Sequence, residues 1–199
     1  MKQMTRAVHI WAPRFLNLAL FWSVATVMPL FGQAATQSAA HSSSHADHEV
    51  PAQLVKDVRK ATRQYINVNN AGPAGYIATF GCLTGPDHGA MGIHYINNTL
   101  VNDGQILLEQ PEALIYEPIG NARRLVGVEY IVDSATWLAA HDNVPPMIDG
   151  QGFQLVGAPN RFGLNPFFEL HVWAWKDNPQ GAFVDWNNDV TCELLNVPE

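Results

Sequence analysis

The amino-acid sequence predicts an α+β domain in which an N-terminal helix packs on a curled, mainly antiparallel β-sheet with a barrel-like shape. Over residues 51–65 apolar residues recur with the spacing of a helix. After Gly75 the chain changes to short apolar segments with strand-like alternation, separated by turns rich in glycine and proline. Several of these segments are apolar on both faces, which indicates strands covered on both sides, as in a strongly curled sheet.

The first 34 residues have the features of a secretory signal peptide. Basic residues without any acidic residue come before an apolar run over residues 15–31, and small residues follow this run. We therefore expect cleavage near Ala34 or Ala40 and a location in the periplasm or outside the cell. The alternative is an uncleaved membrane anchor, because the apolar run is long.

Residues 35–50 are predicted to form a flexible leader, because small polar residues cannot bury enough surface to become ordered. The histidines of this leader, His41, His45 and His48, can chelate a transition metal loosely. The plainer interpretation is a linker that contains histidines by chance. Residues 51–199 are then long enough for a single domain with its own core.

The charge balance argues against two classes of partner. The whole chain has a net charge of −7, and removal of the three basic residues of the signal segment leaves −10. A surface this acidic repels phosphate groups, so neither nucleic acid nor an anionic membrane is an expected partner. A small molecule is the partner class that remains.

The sequence contains only two cysteines, Cys82 and Cys192. In an exported protein they are expected to form a disulfide bond, and closing so long a loop can stabilise the fold by up to about 4–5 kcal/mol. Two free thiols or a thiolate metal site are the alternatives.

The predicted helix begins near Pro51, buries Leu54, Val58, Ala61 and Tyr65, and ends at the Asn69–Gly72 run. Its basic side is interpreted as a solvated face. The predicted strands follow, with a hairpin turn at Gly120 and Asn121; they cover residues 76–84, 91–96, 111–118, 123–132, 167–175 and 182–186. Residues 133–165 are irregular, with a short helix at 135–140 and a short strand at 153–156, and such a segment is often a lid or a binding loop.

The segment 167–175 contains the polar groups that most need an explanation. Strand alternation places Phe168, Leu170 and Val172 on one face, and Glu169, His171, Trp173 and Trp175 on the other. Both faces are mostly apolar, so the histidine and the glutamate are expected to be buried. Their burial costs several kcal/mol unless the groups are paired, hydrogen-bonded or bound to a metal.

Two further strands carry polar groups in the same kind of surroundings, His94 and Glu129. Two imidazoles and one carboxylate on neighbouring strands can bind Fe, Mn, Zn or Cu and leave coordination positions open. His94 or His171 can alternatively act as a catalytic base without a metal, and a third possibility is a hydrogen-bonded cluster that only holds the fold together. Further candidate oxygen ligands are Glu112, Glu117 and Glu169. Hydrogen bonds to the ligands can come from Tyr95, Tyr116 and Tyr130.

Other catalytic signatures do not occur in the sequence. It has no GxSxG, Walker A, dinucleotide-binding or CxxC motif, and the mature domain offers essentially one candidate serine nucleophile, Ser134. Trp137, Trp173, Trp175 and Trp186 can line an apolar or sugar-binding pocket, although tryptophans at strand spacing more often belong to the core.

The runs MGIHYIN, PEALIYEP, RLVGVEY and HVWAWKDNPQGAF resemble a group of uncharacterised exported bacterial proteins. Members of the group read roughly GMGYHY, PEALLYEP, an EY strand and HVWVW in this order, and end in a cysteine. The similarity covers residues 75–192 and implies a common fold and export, but no reaction. The GPDHG run departs from the group's pattern, so the resemblance supports His94 and His171 more than His88.

Taken together, these features predict an exported small-molecule-binding protein or enzyme with a His/Glu metal site inside a sheet or barrel. The alternative is a non-enzymatic structural or binding module whose buried His and Glu groups only stabilise the fold. The sequence does not decide between an enzyme and a binding protein.

Overall fold

Helix α1 (Ala46–Thr62) is the first element of the computed structural model, which describes residues 46–85 and 87–193, with side chains from residue 52 onward. The predicted signal peptide and most of the predicted leader, with His41 and His45, lie outside the described residues. The leader was predicted to extend to Val50, but its last residues belong to α1. Within the described ranges, no helix has both the length and the apolar character needed to span a membrane.

The predicted N-terminal helix is confirmed, with different ends. Leu54, Val58 and Tyr65 are buried as predicted, whereas Ala61 is half-buried. The helix ends at Thr62, whose hydroxyl donates a hydrogen bond back to the carbonyl of Val58 (2.8 Å), and residues 63–74 continue as short 3-10 turns. A side chain that bonds to the preceding turn in this way disturbs the regular helix.

The sequence predicted that the basic side of α1 is a solvated face, but one residue on this side contacts the rest of the protein. Arg59 donates a hydrogen bond to the carbonyl of Ala174 (2.6 Å), and its guanidinium lies 5.9 Å from the ring centre of Trp175. Arg59 therefore joins the helix to the segment that follows the last strand of the sheet.

The remaining chain forms a six-stranded antiparallel sheet that curls into a half-barrel, so the predicted α+β fold class is confirmed. In chain order the elements are β1 (Ile77–Thr84), β2 (Ala90–Ile96), α2 (Asn98–Val101), β3 (Ala113–Ile119), β4 (Ala122–Asp133), α3 (Ser134–Ala140), β5 (Met147–Ile148), β6 (Gln151–Gly152), β7 (Gln154–Val156) and β8 (Phe167–Val172). The strand order is β1-β2-β3-β4-β8-β7, and β5 and β6 form a separate short pair. Register shifts interrupt the β1–β2 and β3–β4 pairs. Such bulges increase the local twist of a sheet.

The two faces of the sheet bury different cores. The face towards α1 carries the larger cluster, which joins Leu54 and Val58 of the helix to Leu114, Tyr116, Val128, Tyr130, Leu170 and Val172. The opposite face carries a smaller cluster of Ile96, Ala113, Ile131 and Phe167, with Phe80 and Phe162 packed against it. All six residues of β8 are buried, which confirms that this strand is covered on both sides.

A bulge in β4 changes the face to which one predicted core residue belongs. Ile115 pairs with Gly127 and Tyr116 pairs with Leu125, so Val126 is an extra residue in β4. Strand alternation in the sequence predicts Val126 on the same face as Val128 and Tyr130, but Val126 packs with Ile115 and Trp173 instead. The residues C-terminal to the bulge keep the predicted alternation.

The predictions for the last third of the chain are partly correct. The short helix and the short strand in the irregular segment are confirmed as α3 and β7. The last long strand was predicted to reach Trp175, but β8 ends at Val172, because the backbone N–H groups of Trp175 and Lys176 both donate to the carbonyl of Val126. Residues 182–186 do not form the predicted strand; in this region only Asn187 makes an isolated bridge, to Ala90.

The predicted disulfide bond joins Cys82 and Cys192, with an S–S distance of 2.03 Å and a sequence separation of 110. It links β1, at one edge of the sheet, to the segment that follows the last strand. The bond therefore ties the first strand of the sheet to the end of the described chain.

Candidate functional site

His94 in β2, Glu129 in β4 and His171 in β8 come together on the face of the sheet that points away from α1. The candidate ligand atoms of the three side chains all lie within 4.8 Å of one another. Nε2 of His94 lies 3.3 Å from Oε2 of Glu129, and Nε2 of His171 lies 4.0 Å from the same oxygen. We call this group the inner cluster.

Strand register explains why the three side chains meet. Glu129 and His171 are direct partners in the β4–β8 pair, so their side chains leave the same face of the sheet. On the other side of β4, Glu129 pairs with Ala113, and Ala113 pairs with Ile96, two residues from His94. Because alanine is small, the imidazole of His94 reaches across β3 to the carboxyl group of Glu129.

A glycine is required where β2 bends next to the cluster. Gly92 has a φ of +98°, and a Cβ atom at this position would lie 2.8 Å from the carbonyl oxygen of Tyr116. The bend changes the alternation of β2, so that Met91 lines the same cavity as His94. Glycine is the residue that adopts this backbone conformation without strain.

The inner cluster borders a cavity of about 30 Å³. Apart from the cluster, the wall of this cavity is apolar and consists of Phe80, Met91, Ile96, Ile131, Phe162, Leu164 and Phe167. A space of this size holds a single ion or one or two water molecules. Phe162 and Leu164 belong to the connection between β7 and β8, inside the segment that the sequence predicted as a lid or binding loop.

Burial sets the protonation states in the inner cluster. It lowers the pKa of His94 and of His171 to about 3, and for His94 the neighbouring His171 ring adds to this effect. Burial, and then the neighbouring Glu169, raise the pKa of Glu129 well above its ordinary value. These shifts disfavour an ion pair between His94 and Glu129. Neutral imidazole is the form that binds metals.

His171 has no hydrogen-bond partner for either ring nitrogen among the residues that the structure describes, although 2% of the residue is exposed. Leaving a buried polar atom without a partner costs about 1–3 kcal/mol, and native proteins rarely do so without a functional reason. A bound cation on a ring nitrogen would remove this cost.

On the other side of the His171 ring lies a second polar group. Nδ1 of His171 is 3.8 Å from Oδ1 of Asp185, and the side-chain amide of Gln154 donates hydrogen bonds to Asp185 and to Glu169 (2.6 Å to Glu169). We call Glu169, His171 and Asp185 the outer cluster. Glu169 was predicted as a further oxygen ligand, whereas Asp185 and Gln154 were not predicted. No local signal identifies them, since Asp185 lies in a loop that only the fold brings to β8.

The other predicted oxygen ligands lie elsewhere. The carboxyl group of Glu112 accepts a hydrogen bond from the backbone N–H of Ile131 (2.9 Å). The carboxyl group of Glu117 accepts from the ammonium group of Lys176 (2.8 and 3.0 Å). Both side chains therefore have protein partners and do not join the inner cluster.

The tyrosines predicted to donate hydrogen bonds to the ligands lie on the face of the sheet opposite to the inner cluster. The hydroxyl of Tyr116 donates to the carbonyl of Tyr65, the hydroxyl of Tyr130 donates to the carbonyl of Leu108, and Tyr95 packs on Tyr116. All three belong to the core that faces α1. They cannot donate to ligands on the opposite face.

The four tryptophans do not form the predicted common pocket. Trp173 is buried with Ile115 and Val126, whereas the indole N–H of Trp175 donates to the hydroxyl of Thr62 on the helix side. Trp137 stacks on His141, and Trp186 lines an open pocket on the surface. The interpretation of tryptophans at strand spacing as core residues is correct for Trp173 and Trp175.

Fold and site together define the class of this protein as an α+β half-barrel with a buried His–Glu–His cluster. No family model, curated protein or solved structure matches the chain. The site must therefore be interpreted from its own chemistry.

Proposed function

We propose that His94, Glu129 and His171 bind one divalent transition metal ion, and that the exported protein uses this ion to bind or convert a small molecule. The observation that carries the proposal is the convergence of three buried ligand groups around an otherwise apolar cavity. Two imidazoles and one carboxylate suit Fe, Mn, Zn or Cu.

The distances in the inner cluster support this proposal. Nitrogen and oxygen ligands bound about 2.0–2.2 Å from a tetrahedral ion lie about 3.4 Å from each other. The distance from His94 to Glu129, 3.3 Å, matches this value, and the distance from His171 to Glu129, 4.0 Å, needs only a small closure. Burial lowers the pKa of both histidines and raises that of Glu129, so an ion must compete with a proton mainly at Glu129, and the affinity for the ion should rise with pH.

The cavity limits what can reach an ion in the inner cluster. Three protein ligands leave coordination positions open for water or a small ligand, and a bound ion would supply Lewis-acid or redox chemistry there. A cavity of about 30 Å³ admits only a molecule of one to three heavy atoms in its present shape. A larger molecule requires Phe162 and Leu164 to move away, in keeping with the lid expected for this segment. His94 and His171 then act as ligands rather than as catalytic bases.

A location in the periplasm or outside the cell is part of the proposal. The Cys82–Cys192 disulfide fits an oxidising compartment, because such bonds rarely persist in the cytosol. The predicted signal peptide and the resemblance to exported bacterial proteins point in the same direction.

A structural role is the second candidate function, and the His94–Glu129 contact favours it. A protonated Glu129 can donate to Nε2 of His94 across 3.3 Å, which would hold β2 against β4 without a metal. The two candidates make opposite predictions about chelators.

The test is thermal unfolding, with and without a chelator, of the wild type and of three variants, His94→Ala, Glu129→Ala and His171→Ala. An ion present at a hundred times its dissociation constant stabilises the folded state by about 2.7 kcal/mol. We therefore expect the chelator to destabilise the wild type, to have a smaller effect on His94→Ala and Glu129→Ala, and to have little effect on His171→Ala, which belongs to both clusters. His141→Ala is the control, because His141 is exposed and lies outside both clusters.

If the cluster is only structural, each replacement should destabilise the protein by about 1–3 kcal/mol, and the chelator should change none of the four curves. That result would refute the metal site. Replacing the leader residues His41, His45 and His48 in all proteins removes loose chelation by the leader.

A further inference from the structure

We infer that Glu169, His171 and Asp185 form a second divalent-cation site, on the outer side of the His171 ring, and that this site competes with the inner cluster for His171. The outer site stands on its own geometry. Only the competition rests on the proposed function of the inner cluster.

The geometry of the outer cluster is that of a ligand set. Its three candidate ligand atoms lie within 4.8 Å of one another, and Nδ1 of His171 lies 3.8 Å from Oδ1 of Asp185. This nitrogen is buried and has no hydrogen-bond partner in the described part of the chain. Gln154 donates from one amide nitrogen to both carboxyl groups and so holds them side by side. Two carboxylate oxygens and one imidazole nitrogen suit Zn²⁺ or Mn²⁺.

The charges around the outer cluster favour a cation. Within the described ranges, His171 is the only basic side chain within ion-pair distance of Glu169 or Asp185. No lysine or arginine of the described residues therefore neutralises these two neighbouring acids, and a bound cation would do so.

The outer cluster is also the more accessible of the two. Glu169 and His171 line a groove of about 210 Å³, and Asp185 and Gln154 line an open pocket of about 450 Å³. The side chain of Asp185 is 30% exposed. An ion therefore reaches the outer cluster from solvent more readily than the inner cluster, where His94 is 3% and Glu129 5% exposed.

His171 connects the two sites through its tautomers. A neutral imidazole offers one lone pair, and its other nitrogen carries a proton. An ion in the inner cluster takes Nε2 and leaves the proton on Nδ1, which faces Asp185. An ion in the outer cluster takes Nδ1 and leaves the proton on Nε2, which faces Glu129. One neutral ring can therefore serve one site at a time.

The test is calorimetric titration with Zn²⁺ of the full exported chain, with His41, His45 and His48 replaced by alanine throughout. Four proteins are compared: this background, Glu129→Gln, Asp185→Asn, and the double variant. Glu129→Gln keeps the shape of the side chain but removes the carboxylate that would bind the ion. Asp185→Asn removes the charge but keeps an oxygen that can accept from Gln154.

We expect one zinc ion in the background and in each single variant, and at least a tenfold weaker affinity in the double variant than in either single variant. His94→Ala replaces Glu129→Gln if that variant does not fold. Asp177→Asn is the matched control, because it removes an exposed acid from the same segment and should leave binding unchanged.

The possible failures are distinguishable. If Glu129→Gln binds no zinc while the background binds one, the outer site is refuted and the proposed inner site stands. If Asp185→Asn binds none while Glu129→Gln binds one, the inner site is refuted and the outer site stands. Two ions in the background refute the competition, and none in the background refutes both sites.

Discussion

Glu112 is a buried acid outside both clusters, and it provides a test of the structure that does not depend on any metal. The residue is 1% exposed, and its carboxyl group accepts a hydrogen bond from the backbone N–H of Ile131. Burial raises the pKa of Glu112 to about 8, although the hydrogen bond from Ile131 opposes the shift. The perturbation we choose is Glu112→Gln, which keeps an oxygen acceptor for Ile131 but cannot ionise.

The sign of the effect follows from the two pKa values. Glu112 has a pKa of about 8 when folded and about 4.5 when unfolded, so the unfolded chain loses this proton first as pH rises. The free energy of unfolding should fall by up to about 1.4 kcal/mol per pH unit between these values. The loss is complete above pH 8 and amounts to at most about 5 kcal/mol, because a shift of one pKa unit corresponds to about 1.4 kcal/mol.

The two histidines act in the opposite direction at lower pH. His94 and His171 have pKa values of about 3 in the folded protein and 6.5 in the unfolded chain. Below pH 6.5 the unfolded chain binds these protons and the folded protein does not, so the free energy of unfolding falls. This contribution is lost as pH falls from 6.5 towards 3. The window from pH 6.5 to 8 is therefore the one in which Glu112 is best isolated.

The assay is urea unfolding of chelator-treated protein at pH 6.5 and pH 8.0. The wild type should lose about 2 kcal/mol more than Glu112→Gln across this window. Buried acids that do not interact with Glu112 contribute equally to both proteins, and Glu112 is the smallest of the causes that raise the pKa of Glu129, so the difference between the proteins reports mainly Glu112. Glu109→Gln is the control, because Glu109 is exposed and three residues away. Equal losses in the wild type and in Glu112→Gln would show that Glu112 is not held protonated in the folded state.

Two further predictions address the disulfide bond and the helix-side core. Thiol titration of the unfolded, unreduced protein should find no free thiol, and two free thiols would contradict the structure. Replacement of Cys82 and Cys192 by serine should lower the free energy of unfolding by up to about 4–5 kcal/mol, because the bond closes a long loop. Tyr116→Phe removes the hydrogen bond to the carbonyl of Tyr65 (2.7 Å) and should cost about 1–2 kcal/mol in urea unfolding without changing zinc affinity. A large loss of zinc affinity would indicate instead that Tyr116 lies on the same face of the sheet as the two clusters.

Local patterns in the sequence predicted the parts of the fold that depend on one segment at a time. The helical spacing of Leu54 and Val58 identified the buried side of α1, and alternation in the strands placed Glu129 and His171 on apolar faces. The three residues of the inner cluster follow from this alternation together with antiparallel pairing. Neighbouring residues of a strand point to opposite faces, so the same alternation places Tyr130 on the face opposite to Glu129. The prediction of Tyr130 as a hydrogen-bond donor to the cluster was therefore inconsistent with this alternation.

The parts that the sequence did not predict depend on pairing between distant segments. The bulge at Val126 arises from the register of β3 against β4, and β8 ends where two successive N–H groups bond to the carbonyl of that same residue. Asp185 reaches His171 only because its loop returns to β8, and the bond from Gln154 in β7 fixes it there. None of these contacts has a signal within a window of ten or fifteen residues.

The contrast between the two faces of the sheet is the strongest argument that the inner cluster exists for function. On the helix side the buried hydroxyls of Tyr76, Tyr116 and Tyr130 each donate to a backbone carbonyl at 2.7–2.8 Å. On the opposite face His171 is equally buried, yet neither of its ring nitrogens has a partner in the described part of the chain. A fold that satisfies its buried polar groups on one face should be able to do so on the other. The two nitrogens of His171 face Glu129 on one side and Asp185 on the other, and this arrangement supports the proposed role of His171 as a ligand.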